Sequence, residues 1–442
     1  MNLTSWRSRL ARYLPLYYGW VIAANTVAVS LSTRTIMAVA TLSVFVVPMT
    51  EQLGWSRGMF SGAVSVGNLC AVVVAPWTGK WIDRYGSGML LAASSLVTGF
   101  LALALSFISH PFAFYAFYVP GRMIFSGPLE LGLPTAISNW FIRRRPLGLA
   151  VDGVAKGGGL VLMPLLAQFI ISGWDWRTAW IVLGIICFAV GVVPSILLMA
   201  RRPEDLGLEP DPVPRGDATA PLESDGSHST NLITTNTETN FTVRQALNTR
   251  AFYILAGFSA AGLMVQAGVS LHQVSHYINQ GLSAPAAALS ASTFAFAQMI
   301  GGPFWSALGR SVPIRFLLAS AAGVVGAGAL STISSDTLPT ALGSAFIVGF
   351  GVAGLHLLLR LAWADYYGRE NLGAIRGLTL SAQIGGQAVG PVLAGFMFDA
   401  TDSYQLPFRV FAGAALLAGL LVLAATPPKS PVSRETPETV AG

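Results

Sequence analysis

Long apolar runs follow one another along the chain, and short polar stretches separate them. An α-helix needs about 20 apolar residues to cross a bilayer, and most runs here reach that length. They are apolar nearly all round and lack the alternation over about ten residues that marks barrel strands. The predicted spans are residues 17–48, 56–78, 87–108, 112–138, 147–171, 177–199, 251–279, 284–308, 314–334, 338–364, 372–398 and 406–426. The pattern therefore predicts an all-α membrane protein with twelve transmembrane helices.

One long polar segment, residues 201–249, interrupts the series after the sixth span. It is rich in Pro, Asp, Ser, Thr and Asn and has no apolar period, so we predict a largely disordered cytoplasmic linker. The linker divides the chain into an N-terminal six-helix bundle, residues 1–200, and a C-terminal six-helix bundle, residues 250–428. Residues 429–442 are predicted to form a cytoplasmic tail.

Short matches at nearly the same offset relate the two halves of the chain. Residues 54–56 (G-W-S) correspond to residues 281–283 (G-L-S), 227 positions on, and residues 140–143 (W-F-I-R) correspond to residues 366–369 (Y-Y-G-R), 226 on. The matches imply two pseudo-symmetric bundles in parallel orientation. Such repeats enclose a substrate cavity near the membrane midplane, which is reached alternately from each side.

Composition supports the membrane prediction. Hydrophobic residues make up 53% of the chain and charged residues only 10%, whereas a soluble domain carries about 25% charged residues. This excludes a soluble enzyme, a DNA-binding protein and a disordered chain. The sequence has no G-x-x-x-x-G-K-[ST], H-E-x-x-H or C-x-x-C motif, so we predict no enzymatic activity, cofactor or metal site. Cys70 and Cys187 lie in apolar runs and are interpreted as packing residues.

The net charge of +6 is distributed as in membrane proteins. With the N-terminus inside, nineteen of the 26 Lys and Arg residues fall in cytoplasmic segments, and only Arg57, Arg177 and Arg409 fall outside. Lys and Arg are enriched in the cytoplasmic loops of membrane proteins. The distribution therefore predicts an even number of spans with both termini in the cytoplasm.

Several segments resemble the major facilitator superfamily. Residues 79–86, G-K-W-I-D-R-Y-G, are similar to its G-x-x-x-D-R-x-G motif, and residues 121–127, G-R-M-I-F-S-G, resemble its span-4 arginine motif. Residues 18–20, 140–150 and 364–369 resemble the monocarboxylate-transporter-like branch. The resemblance covers essentially all of the membrane-embedded chain. It implies the major facilitator fold and proton-coupled movement of small carboxylates.

The chain departs from this branch at known positions. Animal monocarboxylate carriers have a span-1 lysine and a span-8 Asp/Arg pair, but Ala40 occupies the lysine position here and span 8 contains no charged residue. Span 5 also lacks the G-P-x-x-G-G form of drug antiporters, because its glycines, residues 157–159, are followed by Pro164 instead. This second departure favours uptake over drug efflux.

Charged side chains within spans are candidate functional residues, because each costs about 2.5–3.5 kcal/mol at the bilayer centre. We expect Arg34 to bind a substrate carboxylate with its planar fork, or else to pair structurally with Glu130 or Asp152. Arg122 is expected to act in proton coupling through a nearby carboxylate, or else to donate hydrogen bonds to span-1 carbonyls. Glu130, on roughly the same helical face as Arg122, is a candidate proton carrier or the partner of an arginine.

Asp152 and Lys156 are four residues apart in span 5, which places them on one helical face in the favoured order for an ion pair. One interpretation is a self-compensating pair that allows the helix to enter the membrane. The other is a proton-linked switch, in which protonation of Asp152 releases Lys156 to a substrate anion.

His272 and His276 are also four residues apart, near the outer end of span 7. That spacing could bind zinc, but no third ligand with a plausible spacing is visible. We expect His272 instead to be a substrate-binding or proton-sensitive residue.

The cytoplasmic loops supply candidate gating residues: Asp83, Arg84, Arg143 and Arg360. Salt bridges between the loops are expected to hold the outward-open state. Arg360, near the inner end of span 10, is expected to pair at the gate or to extend toward the interface.

The sequence therefore predicts a secondary active transporter that moves a small organic anion, of the monocarboxylate class, together with a proton by alternating access. An exporter of amphipathic or drug-like compounds is one alternative, and a non-transporting sensor on the same fold is another. The expected partners are the substrate, the proton and the lipid bilayer, with no nucleic acid. The resemblance implies a monomer in the bacterial inner membrane.

Overall fold

A computed structural model of the chain describes residues 3–141, 144–209, 241–309, 311–368 and 372–428. All regular secondary structure in these ranges is helical. The helices are α1 (Leu3–Tyr13), α2 (Gly19–Val29), α3 (Val39–Leu53), α4 (Arg57–Tyr85), α5 (Ser87–Leu105), α6 (Pro111–Ile124), α7 (Glu130–Trp140), α8 (Arg145–Gly173), α9 (Trp176–Ile186), α10 (Val193–Leu198), α11 (Val243–Leu247), α12 (Arg250–Asn279), α13 (Ala284–Leu308), α14 (Ile314–Ile333), α15 (Leu338–Tyr367), α16 (Leu372–Thr401) and α17 (Gln405–Val422).

Every predicted span falls on helical structure, and the all-α prediction is confirmed. Among the described residues, nine helical stretches are long and apolar enough to cross a membrane. The remaining predicted spans, 4, 8 and 11, are helical but more polar. Span 4 carries Arg122 and Glu130, span 8 is rich in Ala and Ser, and span 11 is rich in Gly and Ala. The number of twelve crossings stays a prediction.

Spans 1, 4 and 6 are not continuous α-helices. Each contains a π-helical turn, at Ser30–Arg34, Phe125–Leu129 and Cys187–Val192 respectively. Span 1 then breaks before α3, and the Thr41 hydroxyl donates to the Thr35 carbonyl at 2.7 Å across that break. The span predicted at residues 17–48 matches the apolar helical stretch Gly19–Leu53. Hydropathy gave no sign of its π turn or its break, because it does not report the local hydrogen-bond register.

The predicted linker has short regular structure at both of its described ends. Pro203–Leu206 forms a 3₁₀ turn, and Thr242 caps α11 with a side chain that accepts from the Gln245 amide. Phe241 is 2% exposed and packs edge-on against Tyr367 at 5.4 Å. A single aromatic residue can anchor a polar segment without producing an apolar period. Residues 210–240 lie outside the described residues.

The two halves meet through α4 against α16, α8 against α13, and α3 against α12. The α4–α16 contact is close at the end that the charge distribution predicts to be outside. The Gly58 amide donates to Asp399 at 3.1 Å, and a Cβ built on Gly395 would lie 2.8 Å from the Gly58 Cα. Glycine is required at position 395 for this approach, and the halves are closed together on the predicted outer side.

Candidate functional site

Four charged residues from spans 1, 4 and 5 come together in the N-terminal half. Arg34 is the last residue of the π turn in span 1, and Glu130 directly follows the π turn in span 4. Asp152 and Lys156 lie one turn apart on α8. We call these four residues the charged cluster. Single π turns in α-helices are frequent at functional sites, and here two of them position opposite charges.

The charged cluster is joined by ion pairs that cross between helices. The Arg34 guanidinium binds the Glu130 carboxylate through Nη2 and lies 3.3 Å from Asp152 Oδ2 through Nη1. The Lys156 ammonium lies 3.3 Å from Glu130 Oε1. The Ser30 hydroxyl donates to the other oxygen of Asp152. Glu130 thus bridges the two cations, and Arg34 bridges the two carboxylates.

The predicted intrahelical pair between Asp152 and Lys156 was wrong as to partners, because each residue pairs with a side chain of another span. Asp152 pairs with Arg34, and Lys156 pairs with Glu130. The spacing on α8 does place both residues on the face toward spans 1 and 4. The sequence could not give their partners, since it does not report which helices pack side by side.

The four side chains of the charged cluster differ in exposure. The side chain of Arg34 is 3% exposed and that of Asp152 8%, whereas Glu130 is 47% and Lys156 33% exposed. Both residues are nevertheless surrounded by protein on most sides. The Arg34 Nε is buried with no hydrogen-bond partner among the described residues.

Arg122 lies apart from the charged cluster. Its Nε donates to Asn68 Oδ1 at 3.0 Å, and its Nη1 donates to the Met37 carbonyl at 3.3 Å, beside the break in span 1. This is the carbonyl contact expected of a structural hydrogen-bond donor. The π turn between Arg122 and Glu130 changes their relative rotation, and the two residues have different partners.

His272 lies in the contact between the halves on the predicted outer side. Its ring nitrogens are 3.0 Å from the Ser61 hydroxyl, 3.1 Å from the Pro391 carbonyl and 3.1 Å from the Tyr404 hydroxyl. None of these groups belongs to the charged cluster. His276 instead contacts the Thr332 carbonyl at 2.7 Å. In the described part of the chain, no three His, Cys, Asp or Glu residues are grouped to hold a metal.

The predicted gating residues are placed only in part. Arg143 and the side chain of Asp83 lie outside the described residues. Arg84 is exposed, with its guanidinium 5.2 Å from the Tyr85 ring. Arg360 is exposed and donates to the carbonyl of His356, one turn earlier in α15, at 3.1 Å. The salt bridges expected between the cytoplasmic loops stay a prediction.

Two hydrogen-bonded groups of polar side chains were not predicted from the sequence. Arg57 donates to Tyr404 at 2.7 Å and to Asn279 at 3.1 Å on the predicted outer side. In the C-terminal half, His356 Nε2 donates to Gln266 Oε1 at 2.7 Å. A histidine inside the apolar run of span 10 was the available signal for the second group.

The fold and the charged cluster are typical of membrane transporters in which two helical halves surround a polar centre. The sequence model of the family described as "Major Facilitator Superfamily" matches residues 28–279 and 274–442. The chain belongs to this superfamily, and the family predicted from the sequence is confirmed.

Curated relatives are distant. The Hexuronate transporter of Bacillus subtilis is 24% identical over 77% of this chain and 79% of its own length. Monocarboxylate transporter 6 of Mus musculus is 22% identical over 84% of this chain and 78% of its own length. The Uncharacterized MFS-type transporter YcxA of Bacillus subtilis is 25% identical over 36% of this chain and 39% of its own length.

Solved structures share the fold. A bacterial homologue of the human lysosomal transporter Spinster, in an inward-facing and occupied conformation, has a TM-score of 0.69 at 14% identity, over 92% of this chain and 96% of that chain. A mutant of the peptide transporter POT has a TM-score of 0.69 at 15% identity, over 91% of this chain and 93% of that chain. At such identities the likeness concerns the fold alone.

Proposed function

We propose that the chain is a proton symporter of a small organic anion, of the monocarboxylate class, that works by alternating access. The observation that carries the proposal is the charged cluster, whose two cations and two carboxylates sum to zero charge. A net charge inside the membrane is costly. A carboxylate that binds alone would leave the cluster at −1, and a proton that binds alone would leave it at +1. Binding both restores neutrality, which links the two events.

Glu130 is the proton carrier that the geometry favours over Asp152. It bridges Arg34 and Lys156, and it is far more exposed than Asp152. Protonation of Glu130 weakens its hold on both cations at once. Arg34 and Lys156 are then free to bind a substrate carboxylate in its place, Arg34 through two donors. Asp152, which accepts from the Ser30 hydroxyl, keeps its contact with Arg34 and so orients the guanidinium.

The two long relatives support the substrate class. By their names, one relative transports hexuronates and the other monocarboxylates, and both kinds of substrate carry a carboxylate. The closed contact around Gly58, Asp399 and Tyr404, together with the exposure of Glu130, supports a state open on one side only. With the predicted orientation, that side is the cytoplasm. A monomer in the bacterial inner membrane with both termini inside completes the proposal.

The test is uptake into proteoliposomes with an alkaline interior, with labelled lactate, pyruvate and longer monocarboxylates. We expect accumulation that a protonophore abolishes. Folding is checked independently by tryptophan fluorescence melting. Folded protein that accumulates no carboxylate would refute the proposal and direct attention to export of uncharged compounds.

Arg34→Ala and Glu130→Gln are the diagnostic variants, and Arg12→Ala and Glu204→Gln are their matched controls at exposed positions. We expect both diagnostic variants to lose gradient-driven accumulation while the controls keep it. Unimpaired transport by Arg34→Ala would contradict the role given to Arg34.

A further inference from the structure

Gln266 and His356 form a second polar group in the C-terminal half, apart from the charged cluster. Gln266 lies on α12 and His356 on α15, and both side chains are partly exposed. The His356 Nε2–H donates to Gln266 Oε1 at 2.7 Å, which joins spans 7 and 10. Apolar residues would suffice for packing here, so the pair calls for a ligand or a solvent-filled space.

His356 lies near the charged cluster. It lies within electrostatic range of Lys156 and Glu130, which belong to the other half of the molecule. Arg360, one turn further along α15, also lies within range of Glu130. An organic anion held at Lys156 and Arg34 would therefore point its other end toward span 10.

The pair leaves one acceptor and one donor without a protein partner. With Nε2 donating to Gln266, the neutral imidazole of His356 has a lone pair on Nδ1. Gln266 keeps the N–H groups of its amide. No hydrogen bond joins either atom to another described residue, and neither is among the enclosed unpaired polar atoms. Both are accessible to a ligand.

A hydroxyl group matches this arrangement, because it donates one hydrogen bond and accepts others. It can donate to His356 Nδ1 and accept from the Gln266 amide. An alkyl group can do neither and would displace water from both atoms. A keto oxygen can only accept, and so satisfies Gln266 alone.

We propose that Gln266 and His356 form a hydroxyl-binding subsite, so that the substrate is a hydroxylated carboxylate rather than a plain alkyl carboxylate. The inference rests on the proposed function, because the charged cluster must bind the substrate carboxylate before the subsite can contact the substrate's hydroxyl group. Gln266 and His356 act as specificity-determining residues, and the charged cluster supplies coupling.

The experiment measures KM in proteoliposomes for pairs of acids that differ by one hydroxyl group. Lactate is compared with propionate, and 3-hydroxybutyrate with butyrate. We expect the wild-type KM to be about tenfold lower for the better-fitting hydroxy acid, the factor expected of one or two hydrogen bonds. The ratio of two KM values for one preparation does not depend on how much of the protein is folded.

The variants are Gln266→Met and His356→Leu, which remove the hydrogen-bonding atoms while keeping much of the volume. We expect each to raise the KM for the hydroxy acid and leave that for the alkyl acid nearly unchanged, so that the ratio approaches one. His110→Leu is the control, since His110 is exposed and caps the start of α6. It should keep the wild-type ratio.

The measurements distinguish failure of the hydroxyl-binding subsite from failure of the proposed transport function. Equal KM values for both acids of each pair in the wild type, or wild-type ratios in Gln266→Met and His356→Leu, would overturn the subsite and leave proton-coupled carboxylate transport standing. Failure of the folded wild type to transport any of the four acids would refute the proposed function, and the subsite with it.

Discussion

At the scale of single residues, charge balance makes Glu130 the most informative position. Glu130→Gln leaves the charged cluster at +1, because Arg34 and Lys156 then face Asp152 alone. We expect a loss of about 1–2 kcal/mol in unfolding free energy, less than for a fully buried pair because Glu130 is half exposed. The double variant Glu130→Gln/Lys156→Met returns the cluster to zero charge and should recover most of that stability.

Neither variant should accumulate substrate in response to a pH gradient, since no titrating carboxylate remains at position 130. Thermal melting in detergent and uptake in proteoliposomes separate the two effects. A double variant less stable than Glu130→Gln would show that charge balance does not govern the cluster.

A charge-conserving substitution of Arg34 tests whether the geometry of its hydrogen-bond donors matters beyond its positive charge. Its planar fork donates to two carboxylates at once, and a lysine ammonium is a point charge that cannot reproduce this arrangement. Arg34→Lys keeps the cluster neutral but should lower kcat/KM at least about tenfold, as expected for the loss of one charge-assisted hydrogen bond. Arg12→Lys, an exposed substitution of the same kind, should leave transport unchanged. Full activity in Arg34→Lys would show that charge alone is sufficient.

At the scale of the helices, hydropathy was sufficient to place the segments and insufficient to describe their interiors. The apolar run of span 1 gave no indication that a π turn at Ser30–Arg34 interrupts its α-helix. The types of residue in the candidate site could be predicted, because a charge within an apolar run is costly. Their partners could not, since helices that are apolar nearly all round do not indicate which neighbours they pack against. Asp152 and Lys156 show this limit, because they share a helical face and pair elsewhere.

The start of α9 offers a test of helix capping outside the membrane. The Asp175 carboxylate accepts from the Thr178 amide at 2.6 Å, and this backbone hydrogen bond lowers the pKa of Asp175 below its ordinary 3.8. Because the pKa is depressed in the folded protein, the stabilisation is present above pH 3.8 and is lost as the pH falls through the lower, folded value.

Asp175→Ala should cost about 0.5–2 kcal/mol at neutral pH, and Asp175→Asn, which can still cap, should cost less. The difference between Asp175 and Asp175→Asn should shrink as the pH falls below the ordinary aspartate range. Melting temperatures measured from pH 7 to pH 3 follow this change. A difference that is constant over that range would contradict the charged cap.

At the scale of the whole molecule, the two halves are held together on one side by a contact that only glycine allows. A Cβ at Gly395 would lie 2.8 Å from the Gly58 Cα, whereas a Cβ at Gly413, in the next span, meets nothing within 4 Å. Gly395→Val should therefore force α4 and α16 apart and favour the state open on the predicted outer side. Gly413→Val places the same side chain where there is space, and serves as the matched control.

The readout is the reactivity of Ser61→Cys in a chain without Cys70 and Cys187. Ser61 contacts His272 within the closed contact, and its side chain is buried there. Gly395→Val should raise its labelling by a membrane-impermeant maleimide several-fold over the control, applied from the side opposite the termini. The same variant should slow net uptake, because a carrier must close on each side in turn to move substrate. Unchanged labelling together with normal uptake would show that α4 and α16 need not touch here, and would remove this contact from the transport cycle.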